Sequence, residues 1–267
     1  MKEFAHKHYI ICPLFISLLI SIMYITNLPL VLFSYEVAGN NLSAIFNMIL
    51  ASVLCIILVK SLYSKWIFGF QHKGLAGSLL KYGWTGIIGS ALLLITCYYA
   101  YRPLDKTPAK GTILIWVIIY YFFVALIEEV FNRGVLLNTL LKGFERYKQG
   151  VIIAIFLSSI IFALGHIPGM LQYTLGAMVG KVVLAFGLGI FFGCIYVCTN
   201  KNILTVITLH WLLDISSAIF IPYSSSGDMF ANVFERVLIS LILAVIGLVC
   251  IAKRFRFIEY KNNMKMS

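Results

Sequence analysis

The sequence predicts an all-α integral membrane protein, a single domain (1–267) containing a bundle of about eight transmembrane helices. Three observations predict it. The chain is 61% hydrophobic and 12% charged, where soluble domains run about 45–50% apolar and about 25% charged. Its apolar residues gather into runs of about 20, the length a helix needs to cross a bilayer. Lysine and arginine are concentrated in alternate connecting segments, the signature of membrane topology.

Taken in order, the apolar runs cover 9–33, 44–63, 79–100, 112–137, 151–166, 176–199, 203–222 and 237–252. Lys2 and Lys7 precede the first run as they would in a signal peptide. That run is longer than the usual apolar region of about 7–15 residues and has no A-x-A-like cleavage site, so it reads as a retained span. Residues 64–81 are too interrupted to span, and Trp66, Phe68 and Phe70 suit an amphipathic piece lying along the interface. The sixth run carries Gly176, Gly180, Gly187, Gly189 and Gly193, with two GxxxG spacings that let helix backbones approach closely. With the N-terminus in the cytosol, most basic residues fall inside, which makes the chain a multi-pass cell-membrane protein with both termini cytosolic. Arg102, Lys106 and Lys110 run against that bias, and Lys181 and Arg236 fall near outer helix ends.

The net charge of +11 does not point to nucleic acid, because the cations are scattered between apolar runs with no basic helix face. The lipid bilayer, with its anionic headgroups, is the partner they suit. The six cysteines all lie in apolar runs without a CxxC pair, so no disulfide framework or thiolate metal site is expected.

Ionisable residues inside a membrane are costly and mark function by default. Three places carry them here. Glu128 and Glu129 precede Arg133; Glu129 and Arg133 are one turn apart and can pair along one helix face. Glu128 points about 100° away and has no local partner. His166 follows Phe162 by four residues, where Gly165, Pro168 and Gly169 should end the helix. Asp214 follows His210 by one turn, where it can accept from one ring nitrogen and fix the tautomer. Each has a structural alternative: a buried ion pair, an interfacial histidine, a helix–helix hydrogen bond. Together they are a minimum kit for activating water. With a divalent metal such as zinc, His166, His210 and Glu128 would be three ligands with a fourth position open. Without one, Glu128 would be the general base. No HExxH, GxSxG or P-loop occurs. Counting about 1.5 Å per residue from the cytosolic ends puts Glu128 and His210 about 11–14 Å deep but His166 near 22 Å, a mismatch the structure must close.

In that order and on separate spans, EExxxR at Glu128–Arg133, FxxxH at Phe162–His166 and HxxxD at His210–Asp214 resemble the CPBP intramembrane proteases. That family groups CAAX prenyl endopeptidases with bacterial Abi proteins of bacteriocin processing and self-immunity. The resemblance covers about 112–222, the expected catalytic core. It implies a helical bundle with a conical cavity open to the cytosol. It also implies Glu128 as the water-activating base, Glu129 beside it, and His166, His210 and Asp214 completing the site, with Arg133 and Phe162 in support. Metal involvement stays open. The expected function is endoproteolysis of a membrane-associated or precursor peptide, in bacteriocin maturation, self-immunity or peptide signalling. The alternatives are a non-proteolytic immunity or scaffold protein and an ion-coupled transporter.

Overall fold

A computed structural model describes residues 40–63, 74–101, 110–171, 173–220 and 233–266, and among these every regular element is helical. The first expected span and the interfacial aromatics Trp66, Phe68 and Phe70 lie outside the described residues. The helices are α1 (Asn40–Tyr63), α2 (Leu75–Ala100), α3 (Gly111–Gly143), α4 (Gly150–Leu164), the short α5 (Ile167–Met170), α6 (Leu175–Cys198), α7 (Ile203–Ala218) and α8 (Val233–Met266). Five described helical stretches are long and apolar enough to cross a membrane: α2, α3, α4 with α5, α6, and α8 over Val233–Phe255. Shorter apolar helices span Met48–Ile57, within α1, and the whole of α7. Large apolar side chains stay exposed along α1, α2 and α8, among them Ile57, Ile88, Ile95 and Val245. A water-soluble monomer rarely exposes so much contiguous apolar surface, and a lipid-facing one must.

Several boundaries depart from the sequence expectation. Helix α2 begins at Leu75 and runs through a π-helical segment, Leu79–Gly83, into the span, so residues 75–81 belong to the span and not to a separate interfacial piece. Helix α3 continues to Gly143, beyond the expected end at 137. Its polar residues there are buried and bonded within the protein: Asn138 Nδ2 donates to Gly134 O at 3.0 Å and to Tyr196 Oη at 2.8 Å, and Thr139 Oγ1 donates to Val135 O at 2.8 Å, while Asn138 Oδ1 has no partner among the described residues. Counted from Gly143, Glu128 lies about 22 Å along its helix, which brings it level with His166 counted from Gly150. Helix α7 starts inside the protein, since Asn202 and Ile203 are buried, so His210 also lies deeper than its residue count suggested.

Helix α6 is the central post, packed most extensively against α8 and α4, while α7 packs against α3 and α2. Its glycines act where α6 closes on α8 and on α4. A Cβ on Gly187 would meet the Ser240 backbone of α8 at 3.0 Å, and one on Gly189 would meet Ser159 Cβ of α4 at 2.9 Å. Gly193 faces Ile155 in the same seam and Gly180 faces Val233 of α8, whereas Gly176 faces open space, so both glycines of the second GxxxG spacing pack against a helix and only Gly180 of the first does. The core beneath is apolar and aromatic, with Phe191, Phe192, Tyr196 and Ile195 fully buried on α6. Cys55, Cys97, Cys194, Cys198 and Cys250 are free thiols.

Candidate active site

The Glu-Glu pair sits at the end of the α-helical part of α3, immediately before a π-helical segment, Val130–Leu137, whose eight residues are all buried. Such widened turns break the regular helix ladder and recur at functional sites. Glu129 points into the protein with no exposure at all, and Arg133 is 2% exposed. Arg133 Nη1 donates to Glu129 Oε1 at 2.9 Å, the pair the one-turn spacing predicts. Its Nη2 donates to Gly189 O on α6 at 3.2 Å, and the guanidinium lies over the rings of Phe162 at 4.8 Å and Phe192 at 5.3 Å. Gly189 therefore serves twice. Lacking a side chain, it lets α4 close against α6, and its carbonyl anchors the arginine.

His210 is 4% exposed and lies against the Phe192 ring, centroids 4.9 Å apart at an interplanar angle of 27°. Its Nδ1 bonds Glu129 Oε1 at 2.7 Å. This corrects the sequence reading in two respects. Glu129 does more than hold Arg133, and the residue that orients His210 is Glu129, not Asp214. The contact joins residues 81 apart in the chain, so nothing in helix periodicity could show it. The other ring nitrogen, Nε2, is 3.7 Å from Glu128 Oε2 and 3.5 Å from Asp214 Oδ2. Both distances exceed a good N–H···O hydrogen bond, and polar groups so spaced are commonly bridged by water. The side chains of Glu128 and Asp214 are 29% and 24% exposed, against none for Glu129. The two accessible carboxylates face the cavity and the buried one does not.

His166 follows the end of α4, where Gly165 N donates to Ile161 O and His166 N to Ala163 O. Its Nδ1 bonds Phe162 O at 2.9 Å, so Nδ1 is the donor and Nε2 is left for other partners. Phe162 stands between the two histidines, 4.8 Å from the His166 ring and 6.2 Å from that of His210. Glu128, His166, His210 and Asp214 all line one cavity of about 310 Å³, with Tyr121, Asn132 and Lys181 among the other wall residues. The sequence reading missed the last three. Asn132 is tied to the Glu128 carbonyl at 2.7 Å through Nδ2, and its position one turn after Glu128 was the available signal. The sequence places Lys181 near an outer helix end, and its neighbours on α6 give no sign of a cavity.

Among the described residues no three His, Cys, Asp or Glu side chains are grouped to hold an ion, so Glu128, His166 and His210 share a cavity without forming a ligand cluster. The Nδ1 atom of each histidine bonds a protein oxygen, which leaves both Nε2 atoms toward the cavity.

Residues 110–216 match the family model of the Rce1-like type II CAAX prenyl endopeptidases. This segment belongs to the CPBP protease family. The matched stretch holds all three motifs, and with them Tyr121, Asn132 and Lys181 of the cavity wall. No curated protein matches the chain. The Rce1-like segment implies a CAAX-type intramembrane protease, built here from α3, α4, α6 and α7.

Proposed function

We propose that the chain is an intramembrane endopeptidase in which Glu128 activates water to hydrolyse a peptide bond. The observation that carries this is the gap between Glu128 Oε2 and His210 Nε2, 3.7 Å wide, opening on a cavity of about 310 Å³. A water molecule held there loses a proton to Glu128 as its oxygen bonds the scissile carbonyl carbon. His166 Nε2 accepts the water's second hydrogen and so aims the attacking lone pair. Both nitrogens of His210 face acceptors, Glu129 on one side and Glu128 with Asp214 on the other, so Nε2 is a donor for the developing oxyanion. The C–N bond then breaks, and Glu128 returns its proton to the leaving amine. No step requires a metal. The substrate is a membrane-associated or precursor peptide, with bacteriocin maturation, self-immunity or peptide signalling as the setting.

The test compares wild type with Glu128→Gln for processing of candidate peptides in the native host, with membrane protein levels and bound metal measured together. Processing should disappear in the variant at unchanged protein level, and metal should be absent from active wild type. Normal processing by a well-expressed Glu128→Gln variant would overturn the reading. Retained protection without processing would favour a non-proteolytic immunity protein.

A further inference from the structure

Asn132 lines the cavity beside Glu128 but takes no part in the hydrolytic scheme. It is 7% exposed and lies in the π-helical segment of α3, four residues after Glu128. Its side-chain Nδ2 donates to Glu128 O at 2.7 Å. A carbonyl can only accept, so the amide nitrogen must face it, and Oδ1 is turned to the other side of the amide group. Among the described residues that oxygen accepts no hydrogen bond. Holding the Glu128 carbonyl explains the nitrogen and leaves the oxygen unexplained, and a polar atom without a partner is costly at membrane depth. Tyr121, two turns before Glu128 on the same face of α3, is in a similar state. It is half-buried in the cavity wall, and among the described residues its hydroxyl makes no hydrogen bond. One acceptor and one donor thus flank Glu128 along a single helix.

We propose that Asn132 Oδ1 accepts a backbone N–H of the substrate and Tyr121 Oη donates to a backbone carbonyl farther along it, so that the peptide lies extended along α3 with its scissile bond opposite Glu128. The inference rests on the endopeptidase reading and assigns how that site holds its substrate. A peptide bond inside a helix has its carbonyl covered by the helix ladder, so attack by water needs an unwound strand. Unwinding frees N–H and C=O groups, and each one left unpaired away from water costs several kcal/mol. The wall offers one unpartnered atom of each kind to offset that cost. The spacing suits a strand. At about 1.5 Å per helical residue, Asn132 lies about 6 Å and Tyr121 about 10 Å along α3 from Glu128, in opposite directions. At about 3.3 Å per extended residue these are about two and three residues of substrate. Both contacts therefore fall outside the scissile bond, and neither takes the water from Glu128 or His166. Main-chain contacts supply affinity without reading side chains, so this rail holds substrates of different sequence in one register.

The probe is a fluorescein-labelled, S-farnesylated peptide ending in a CAAX sequence, made as the all-amide parent and as a set in which one backbone amide at a time becomes an ester. Each ester removes one N–H at nearly unchanged shape. Binding is measured by anisotropy on the full chain in lipid nanodiscs, in the Glu128→Gln background so that no cleavage intervenes. One ester position should weaken binding about three- to tenfold, the usual worth of a single hydrogen bond. Adding Asn132→Leu should weaken the parent by a similar factor and abolish the penalty at that position. Asn132→Ala serves as a second variant if the leucine protein does not fold. Tyr121→Phe should weaken the parent and leave the penalty in place. An Asn132 that only braces α3 would lower every probe alike, so a penalty that survives its replacement overturns the contact. So does a scan without a position-specific penalty, or a parent peptide that does not bind. A Tyr121→Phe protein that binds the parent as tightly as before overturns the tyrosine contact. Cleavage of the parent by the wild type and by Glu128→Gln is followed separately. Glu128-dependent cleavage with a flat ester scan sinks the backbone contact alone. A position-specific penalty with cleavage absent or independent of Glu128 sinks the endopeptidase reading.

Discussion

Replacing Arg133 by methionine tests the buried charge network directly. The guanidinium donates to Glu129 Oε1 and Gly189 O and covers two aromatic faces. Methionine fills much of the same volume, so the cost is mainly electrostatic. Breaking a buried ion pair by removing one partner costs about 3–5 kcal/mol. Glu129 keeps its bond to His210 at 2.7 Å, which argues for the lower end. The Gly189 carbonyl then loses its donor, adding about 1 kcal/mol, for a total near 4 kcal/mol. Glu129→Gln strands the arginine instead and should cost about 3 kcal/mol by the same reasoning. The double variant removes both charges, so it should be more stable than the sum of the single losses implies, with a coupling of about 2 kcal/mol. Reversible unfolding in mixed micelles, titrated with denaturing detergent, measures all four proteins. Losses that add to within about 0.5 kcal/mol would show that the two residues do not act as a pair, and the account of the site would be wrong.

Two further predictions concern the helices that hold this network. Gly189→Ala puts a Cβ 2.9 Å from Ser159 Cβ and 3.1 Å from its Cα, so α4 must shift, at about 1–3 kcal/mol, carrying the Gly189 carbonyl away from Arg133. Thermal unfolding and peptide cleavage should both fall, whereas Gly176→Ala, with nothing within 4 Å, should change neither. Asp214→Asn keeps an oxygen acceptor facing His210 Nε2 and should retain cleavage. Asp214→Ala loses it and should lower kcat about tenfold, the worth of one such contact; equal loss in both variants would mean that the charge, not the acceptor, is needed.

How much of this was legible in the sequence depended on the range of each interaction. The apolar runs were legible because a bilayer demands about 20 such residues in succession. The Glu129–Arg133 pair was legible because both ends lie on one helix, one turn apart. The end of α3 was not. Asn138 and Thr139 look like the polar end of a span, yet both are buried, bonded to their own helix or to Tyr196. The Glu129–His210 bond and the place of Lys181 were hidden for a related reason. Periodicity tells which residues share a face of one helix, but not which face of another helix that face will meet. His210 had a carboxylate one turn away in Asp214, and the local pattern favoured that neighbour over the more distant Glu129 that the fold supplies.

The adjacent carboxylates of α3 can now be separated by what offsets their cost. A charge inside the membrane costs about 2.5–3.5 kcal/mol on insertion scales unless something compensates it. Glu129 has Arg133 and His210 on one oxygen, and Arg133 has Gly189 and two aromatic faces besides, so these charges hold α3, α6 and α7 in register. Among the described residues Glu128 has no such set. Its carboxylate is the more exposed of the two and its nearest cationic atom, His210 Nε2, stays beyond hydrogen-bonding reach. Structure therefore accounts for the Oε1 atom of Glu129, whose Oε2 is buried without a partner among the described residues, and among the same residues it gives Glu128 no compensating bond. The same network that makes Glu129 unavailable for chemistry fixes the His210 ring opposite Glu128, so stability at one glutamate sets the geometry for reaction at the other.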